Sequence, residues 1–222
     1  MSEPISIDIW SDIACPWCYI GKRNLEKGLA ATAADDDAPQ VSVTFHSFEL
    51  SPDTPVDFDG DEIDFLAGHK GVPREQVEQM LSNVTNAAAG AGLEYRFDLL
   101  QHTNTVKAHE LLHFAKAQGR QHEMAERLMS AYFTEGAHVG RVDDLVVLAE
   151  EIGLDGGAAR AALESGSYLD AVRADQAQAR TYGINGVPFF VIDGRYGVSG
   201  AQPPEAFENV IRDVWAEKRT PA

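Results

Sequence analysis

Two cysteines three residues apart are the side chains of this sequence best suited to covalent chemistry. Cys15 and Cys18 enclose Pro16 and Trp17, and the 222 residues contain no other cysteine. Positions i and i+3 share a helix face, so the two sulfurs can reach disulfide distance. The first sulfur would attack a disulfide of a partner molecule, and the second would resolve the mixed disulfide. The pair therefore predicts thiol–disulfide exchange.

The segments around the pair place it where a strand leads into a helix. Residues 5–10 alternate apolar and polar side chains, which predicts a strand, and residues 19–34 carry apolar side chains at helical spacing. Pro16 suits the first helical position, because proline has no N–H and its φ is already helical. Unpaired N–H groups at a helix N-terminus favour an anion, so we expect a stabilised thiolate at Cys15.

The rest of the chain reads as two α/β halves separated by helices. Residues 41–46 alternate like a strand, and residues 51–61 are rich in proline and aspartate, which predicts a loop. From Pro73 to residue 182 the pattern is helical. Residues 189–192 and 195–199 predict two strands joined by an Asp193-Gly194 turn, followed by a final helix. We predict a thioredoxin-like α/β fold (β-α-β … β-β-α) from residues 1–60 and 166–222, with an all-helical insertion at residues 61–165.

A proline at the head of the late strand is the second chemical feature. Pro188 follows Gly186 and Val187, and a proline at this end of a strand removes no ladder hydrogen bond. Thioredoxin-like folds place a cis-proline here, opposite the cysteine pair, where its peptide offers backbone groups to an extended substrate segment. This mechanism requires that the sulfur of Cys15 be exposed and lie beside Pro188.

The chain resembles the DsbA-like oxidoreductases over nearly its whole length, and most of all their FrnE-type branch. The motifs that carry the resemblance are SDIACPWCYIG at 11–21, FELSP at 48–52, NT at 104–105 with AH at 108–109, AYFTEG at 131–136, GVPFF at 186–190 and SGAQ at 199–202. The resemblance implies disulfide exchange or isomerisation on protein or small thiol and disulfide substrates. It implies Cys15 as nucleophile, Cys18 as resolver and Pro188 as the cis-proline. The substrate-binding residues we expect are Pro16, Trp17, Val187 and Asn104.

Composition narrows the partners and the compartment. The net charge is −17, from 35 acidic and 18 basic residues, which disfavours nucleic acid and anionic membranes. No apolar run approaches the ~18 residues of a membrane span, and the N-terminus has no secretory signal pattern. We therefore expect a cytoplasmic protein. A lone cysteine pair in a reducing compartment is typical of a catalytic or metal-binding role and not of a structural one, and no cofactor is expected. Seven histidines form no ligand cluster with the cysteines, and no metal site is expected.

Two other functions remain open at this point. One is a glutathione-dependent isomerase or transferase of the 2-hydroxychromene-2-carboxylate isomerase or kappa-class type, although those proteins typically carry serine in place of the cysteine pair. The other is a non-catalytic binding or chaperone module. Asp12 and Glu49 are candidate proton acceptors for the buried thiol, but exposed loop carboxylates are the commoner outcome at such positions.

Overall fold

The computed structural model describes residues 3–34 and 37–219 and places a block of helices between two strand-containing segments. A π-helical turn, Ala131–Glu135, directly continues the fifth helix. The elements in chain order are β1 (Ile5–Ser11), α1 (Pro16–Thr32), β2 (Val41–Ser47), α2 (Glu62–Lys70), α3 (Arg74–Ala91), α4 (Val106–Ala117), α5 (Gln121–Ser130), α6 (Val142–Glu151), α7 (Gly156–Ser165), α8 (Leu169–Thr181), β3 (Phe189–Ile192), β4 (Tyr196–Ser199) and α9 (Pro204–Arg219).

The strands form one four-stranded sheet in the order β2-β1-β3-β4. β1 pairs in parallel with β2 and antiparallel with β3, so the early and late segments meet at the centre of the sheet. Ile5, Ile7 and Ile9 of β1 are buried, as expected for a central strand with both neighbours present. The predicted β-α-β and β-β-α units, with helices between them, are therefore confirmed. The division at residues 60/61 and 165/166 stays a prediction.

The hairpin between β3 and β4 turns as predicted. Asp193 and Gly194 have φ angles of 53° and 65°, both in the left-handed region. Two successive positive φ angles match the twist of antiparallel strands, and aspartate and glycine tolerate them best. No helix in residues 3–34 and 37–219 combines the length and the apolarity that a membrane crossing requires.

Helix α2 is missing from the sequence prediction, which begins the first insertion helix at Pro73. Its N-terminus is a capping box, because the Asp61 carboxylate accepts from Asp64 N (2.7 Å) and the Asp64 carboxylate accepts from Asp61 N (3.2 Å). The helix has nine residues, and its apolar side chains do not form a stripe at helical spacing. The acidic stretch around α2 therefore predicts a loop. The Asp-x-x-Asp spacing of the capping box is the sequence feature that indicates the start of the helix.

Close packing between α1 and α9 gives a stability prediction. A Cβ on Gly28 would lie 2.8 Å from Pro204 O and 2.9 Å from Phe207 Cβ, whereas a Cβ on Gly90 of α3 would meet nothing within 4 Å. Overpacking costs about 1–3 kcal/mol, and glycine to alanine in a helix gains about 1 kcal/mol. We expect G28A to lower the free energy of unfolding by up to about 2 kcal/mol and G90A to raise it by about 0.5–1 kcal/mol in urea unfolding. Equal effects of the two changes would contradict this packing.

Candidate active site

Cys15 lies at the junction of β1 and α1, as the sequence predicts. It is the N-cap of α1 in an extended conformation, and Pro16 begins the helix. The turn is closed by Cys15 N donating to Asp12 O (3.2 Å) and Cys18 N donating to Cys15 O (3.0 Å). The sulfur of an N-cap residue sits at the positive end of the helix dipole, where a thiolate is favoured.

Cys18 lies behind Cys15 and is shielded from solvent. Both cysteines are free thiols, and Cys18 is 2% exposed. Burial, together with the neighbouring Cys15, raises the pKa of the Cys18 thiol well above its ordinary value. Cys18 is therefore protonated at neutral pH and is a poor first nucleophile. A mechanism in which Cys15 attacks and Cys18 only resolves requires that the Cys18 thiol be shielded and protonated in this way.

The predicted exposure of Cys15 is wrong. The residue is only 4% exposed, because neighbouring chain covers the turn that holds it. Tyr95, which lies after α3, donates its hydroxyl hydrogen to Pro16 O (2.6 Å) and so fixes the insertion against the start of α1. Cys15 does line a cavity of about 320 Å³ between this turn and helices α2 and α3. Access to the thiol is through this cavity and not across an open surface.

The late proline segment lies next to the thiol. The Val187–Pro188 peptide bond is cis, and the Cys15 S–H donates to Val187 O at 3.6 Å. Pro188 is buried against α1, since a Cβ on Gly21 would lie 3.0 Å from Pro188 Cγ. Both carbonyls of this segment have partners within the protein, because Pro188 O accepts from Gly200 N (2.9 Å).

Three of the four predicted substrate-binding residues line the cavity. Pro16, Trp17 and Val187 all border it, and Trp17 is 43% exposed at its mouth. Asn104 does not border it. Its side chain donates to Pro52 O (2.8 Å) and accepts from Val106 N (2.9 Å), so it fixes the loop that leads into α4. Backbone groups of Pro52 and Val106 occupy its amide, and a role for Asn104 in substrate binding stays a prediction.

The two candidate proton acceptors are buried, not exposed as loop carboxylates usually are. Burial alone would raise the pKa of Asp12, but the nearby His109 and the Leu50 N–H (2.7 Å) outweigh it and hold that pKa below its usual value. Glu49 pairs with Arg173 and accepts from Gln176 Nε2 (2.7 Å). Both carboxylates thus hold loops in place, and a role in proton transfer stays a prediction.

His109 and His113, four positions apart on α4, have separate surroundings. His109 Nε2 lies 3.4 Å from Asp12 Oδ1, whereas His113 Nε2 lies 3.0 Å from Asp175 Oδ2. Within residues 3–34 and 37–219, no group of three or more histidine, cysteine, aspartate or glutamate side chains is placed to hold a metal ion.

Sequence reasoning missed the wall of the cavity opposite the cysteines. Phe65, Leu66 and Lys70 of α2 line it, and so does Glu62, whose carboxylate pairs with His102 Nδ1 at 2.8 Å. These residues could be identified only once α2 was known, and the capping box at Asp61 was the available signal.

Comparisons with known proteins identify the family of the chain. The family model of the DSBA-like thioredoxin domain matches residues 6–212. The uncharacterised protein YwbO of Bacillus subtilis is 32% identical over 218 residues, covering 96% of this chain and 99% of that protein.

Two crystal structures extend the comparison. That of SCO1869 from Streptomyces coelicolor, described as a probable DsbA oxidoreductase, has a TM-score of 0.89 at 41% identity and covers 98% of this chain and 92% of its own. The cytosolic disulfide reductase DsbM of Pseudomonas aeruginosa shares the fold, with a TM-score of 0.67 at 18% identity over 96% and 99% of the two chains. By sequence and fold together, the chain belongs to the family of DSBA-like thioredoxin domains.

Proposed function

We propose that the protein is a thiol–disulfide oxidoreductase or isomerase of the FrnE type, which exchanges disulfides through Cys15-Pro16-Trp17-Cys18. The Cys15 thiolate attacks a substrate disulfide, and a mixed disulfide forms as the first substrate thiolate leaves. Cys18 then attacks the Cys15 sulfur, releases the second thiolate and closes the internal disulfide. In the reducing direction a dithiol resets the pair, and no cofactor takes part.

The placement of the two sulfurs is the observation that carries this proposal. Cys15 is at the N-terminus of α1 and borders a cavity, whereas Cys18 is sealed behind it with a raised pKa. One sulfur is thus placed to meet substrate, and the other is placed to meet only the first sulfur. Buried structural cysteines have no reason to differ in this way.

Pro188 has the role of shaping the substrate side of the pair. Its ring packs against α1 at Gly21, and the preceding carbonyl, that of Val187, accepts from the Cys15 S–H. Pro16, Trp17 and Val187 provide the apolar surface that a substrate meets first. We place the protein in the cytoplasm, where a lone reduced pair of this kind fits a reductase or isomerase.

Turnover of disulfides tests this function directly. With dithiothreitol as reductant, we expect the protein to accelerate reduction of insulin, of hydroxyethyl disulfide or of both, and C15S to return each rate to the uncatalysed one. The matched control is S165A, a change of an exposed hydroxyl group that does not line the cavity. Full activity in C15S would sink the mechanism.

The cavity beside Cys15 also favours a second candidate, a glutathione-dependent isomerase or transferase acting on a small aromatic molecule. That enzyme would turn over a glutathione adduct without net reduction of any disulfide, and it would not need Cys18. A C18S variant that keeps full turnover of such an adduct would favour this candidate over disulfide exchange. A binding or chaperone module would show neither activity.

A further inference from the structure

The cavity that borders Cys15 has apolar walls and room for a small molecule. Its volume of about 320 Å³ lies at the lower end of small-molecule pockets, which run from about 300 to 1,000 Å³. Leu81 and Val84 of α3, Phe65 and Leu66 of α2, and Phe97 all line it. A ligand with an apolar body can bury its surface here without leaving polar groups unpaired.

The two acidic side chains that line the cavity each lie beside a histidine. Glu62 pairs with His102 at 2.8 Å, and Asp12 lies 3.4 Å from His109. Lys70, by contrast, lines the cavity, is exposed, and makes no ion pair within residues 3–34 and 37–219. In a chain of net charge −17, whose cations are mostly paired, this is a point of positive charge at the cavity.

The backbone beside the cysteine pair is poorly suited to an added strand. Val187 O accepts from Cys15, and Pro188 O accepts from Gly200 N within the hairpin. Strand addition depends on free main-chain donors and acceptors, and the hairpin already uses the carbonyl of Pro188, so this carbonyl is not available to a polypeptide. An extended protein segment would also have to enter the cavity to meet a sulfur on a residue that is 4% exposed.

We propose that Cys15 and Cys18 act on a small apolar disulfide that carries a carboxylate, with Lys70 binding the carboxylate and α2 and α3 enclosing the apolar body. This inference rests on the proposed function and narrows its substrate class. Glutathione disulfide fits less well, because each half has two carboxylates and an ammonium group but no apolar body, and the walls would leave those charges unpaired.

The exchange is balanced without any further reactant. The Cys15 thiolate attacks one sulfur of R–S–S–R, the S–S bond breaks, and the first RS⁻ takes a proton from water. Cys18 loses its proton to water and attacks the Cys15 sulfur, which releases the second RS⁻ and forms the Cys15–Cys18 disulfide. Two electrons pass from the enzyme dithiol to the substrate, giving two thiols per reduced enzyme in a single turnover.

Two aryl disulfides that differ only in the carboxylate test the proposal. Reduced enzyme is mixed with dithiobis(nitrobenzoate) or with uncharged bis(nitrophenyl) disulfide, and release of the coloured thiolate is followed in single turnovers. Each rate is divided by the rate of free dithiothreitol with the same disulfide. The ratio of interest is the corrected rate with dithiobis(nitrobenzoate) divided by the corrected rate with bis(nitrophenyl) disulfide. An exposed ion pair contributes about 0.2–1 kcal/mol, so we expect K70Q to lower this ratio about 1.4- to 5-fold.

The control variant is K116Q, which removes the same charge from an exposed lysine that does not line the cavity. We expect it to leave the ratio as in the parent protein, and added salt to reduce the ratio of the parent towards that of K70Q. Filling the cavity with V84W should slow both aryl disulfides at least about tenfold relative to hydroxyethyl disulfide.

Three results would overturn the substrate assignment while leaving the proposed function intact. The first is a ratio of the two aryl disulfide rates that is the same in K70Q and the parent. The second is a decrease in this ratio that is as large in K116Q as in K70Q. The third is a higher corrected rate with glutathione disulfide than with either aryl disulfide. If the reduced enzyme exchanges neither with the aryl disulfides nor with hydroxyethyl disulfide, the proposed function itself is wrong.

Discussion

C18S is expected to hold its substrate as a stable mixed disulfide on Cys15. In the parent protein the side chains of Cys18 and Cys15 are within hydrogen-bonding reach of each other, so the second sulfur is already positioned for attack. Well-oriented intramolecular groups reach effective concentrations of about 10⁵ M or more, far above the millimolar thiols of an assay. We therefore expect release of the second substrate thiol from C18S to slow at least about a thousandfold.

Mass spectrometry of the reacted protein under non-reducing conditions measures this outcome. C18S should gain the mass of one substrate thiol, the parent protein should gain none and lose two hydrogens, and C15S should remain unmodified because the raised pKa keeps Cys18 protonated. Iodoacetamide at neutral pH gives an independent reading and should label C18S much faster than C15S. A mixed disulfide that forms as readily in C15S would reverse the assigned roles.

Local patterns were enough to predict where the reactive groups lie. Cys15, Pro16 and Cys18 sit at a strand-to-helix junction that period-2 and helical spacing identify from neighbouring residues alone. Pro188 heads β3 for an equally local reason, since the apolar run and the Asp193-Gly194 turn delimit that strand. Contact between these two segments then follows from the topology of the fold.

Properties that depend on distant packing were not predictable in the same way. Cys15 is buried because the chain after α3 reaches it, and Asp12 is buried because His109 of α4 and the loop at Leu50 surround it. Each of these contacts joins residues many positions apart, and neither spacing nor composition encodes which loop covers which turn. Helix α2 is a different kind of miss, because its capping box was local but its apolar positions had no helical period.

A cluster of charged and aromatic side chains between β2 and α8 is likewise non-local. The Asp175 carboxylate accepts from Ser47 N (2.8 Å) and lies 2.8 Å from His46 Nδ1 and 3.0 Å from His113 Nε2. His46 Nε2 also lies 2.9 Å from Asp8 Oδ1. The ring of His46 stacks on Trp10, whose Nε1 donates to Asp175 O (3.0 Å). The cluster therefore joins β1, β2, α4 and α8.

D175A is expected to lower the free energy of unfolding by about 3 kcal/mol near pH 5, because it leaves the buried Ser47 N–H and two histidines without their acceptor. An exposed aspartate on α9 offers the matched control, D213A, for which we expect a change within about 0.5 kcal/mol. Urea unfolding measures both. A loss as small as that of D213A would show that the cluster contributes little to stability.

The loss in D175A should also depend on pH, with a direction that follows from two pKa shifts. Burial alone would raise the pKa of Asp175, but His113, His46 and the Ser47 N–H outweigh it and hold that pKa far below its usual range. The stabilisation by ionised Asp175 is complete above the ordinary carboxyl pKa of about 3.9 and is lost as the pH falls through the pKa of Asp175 in the folded protein.

The second shift belongs to His46. Burial alone would lower the pKa of His46, but Asp175 and Asp8 raise it. The stabilisation by protonated His46 is complete below about pH 6.5 and is lost as the pH rises through the pKa of His46 in the folded protein. The difference in free energy of unfolding between the parent and D175A should therefore be largest between about pH 4 and 6.5 and should become smaller at lower and at higher pH. A difference that increases steadily up to about pH 9 would contradict the assigned histidine pairing.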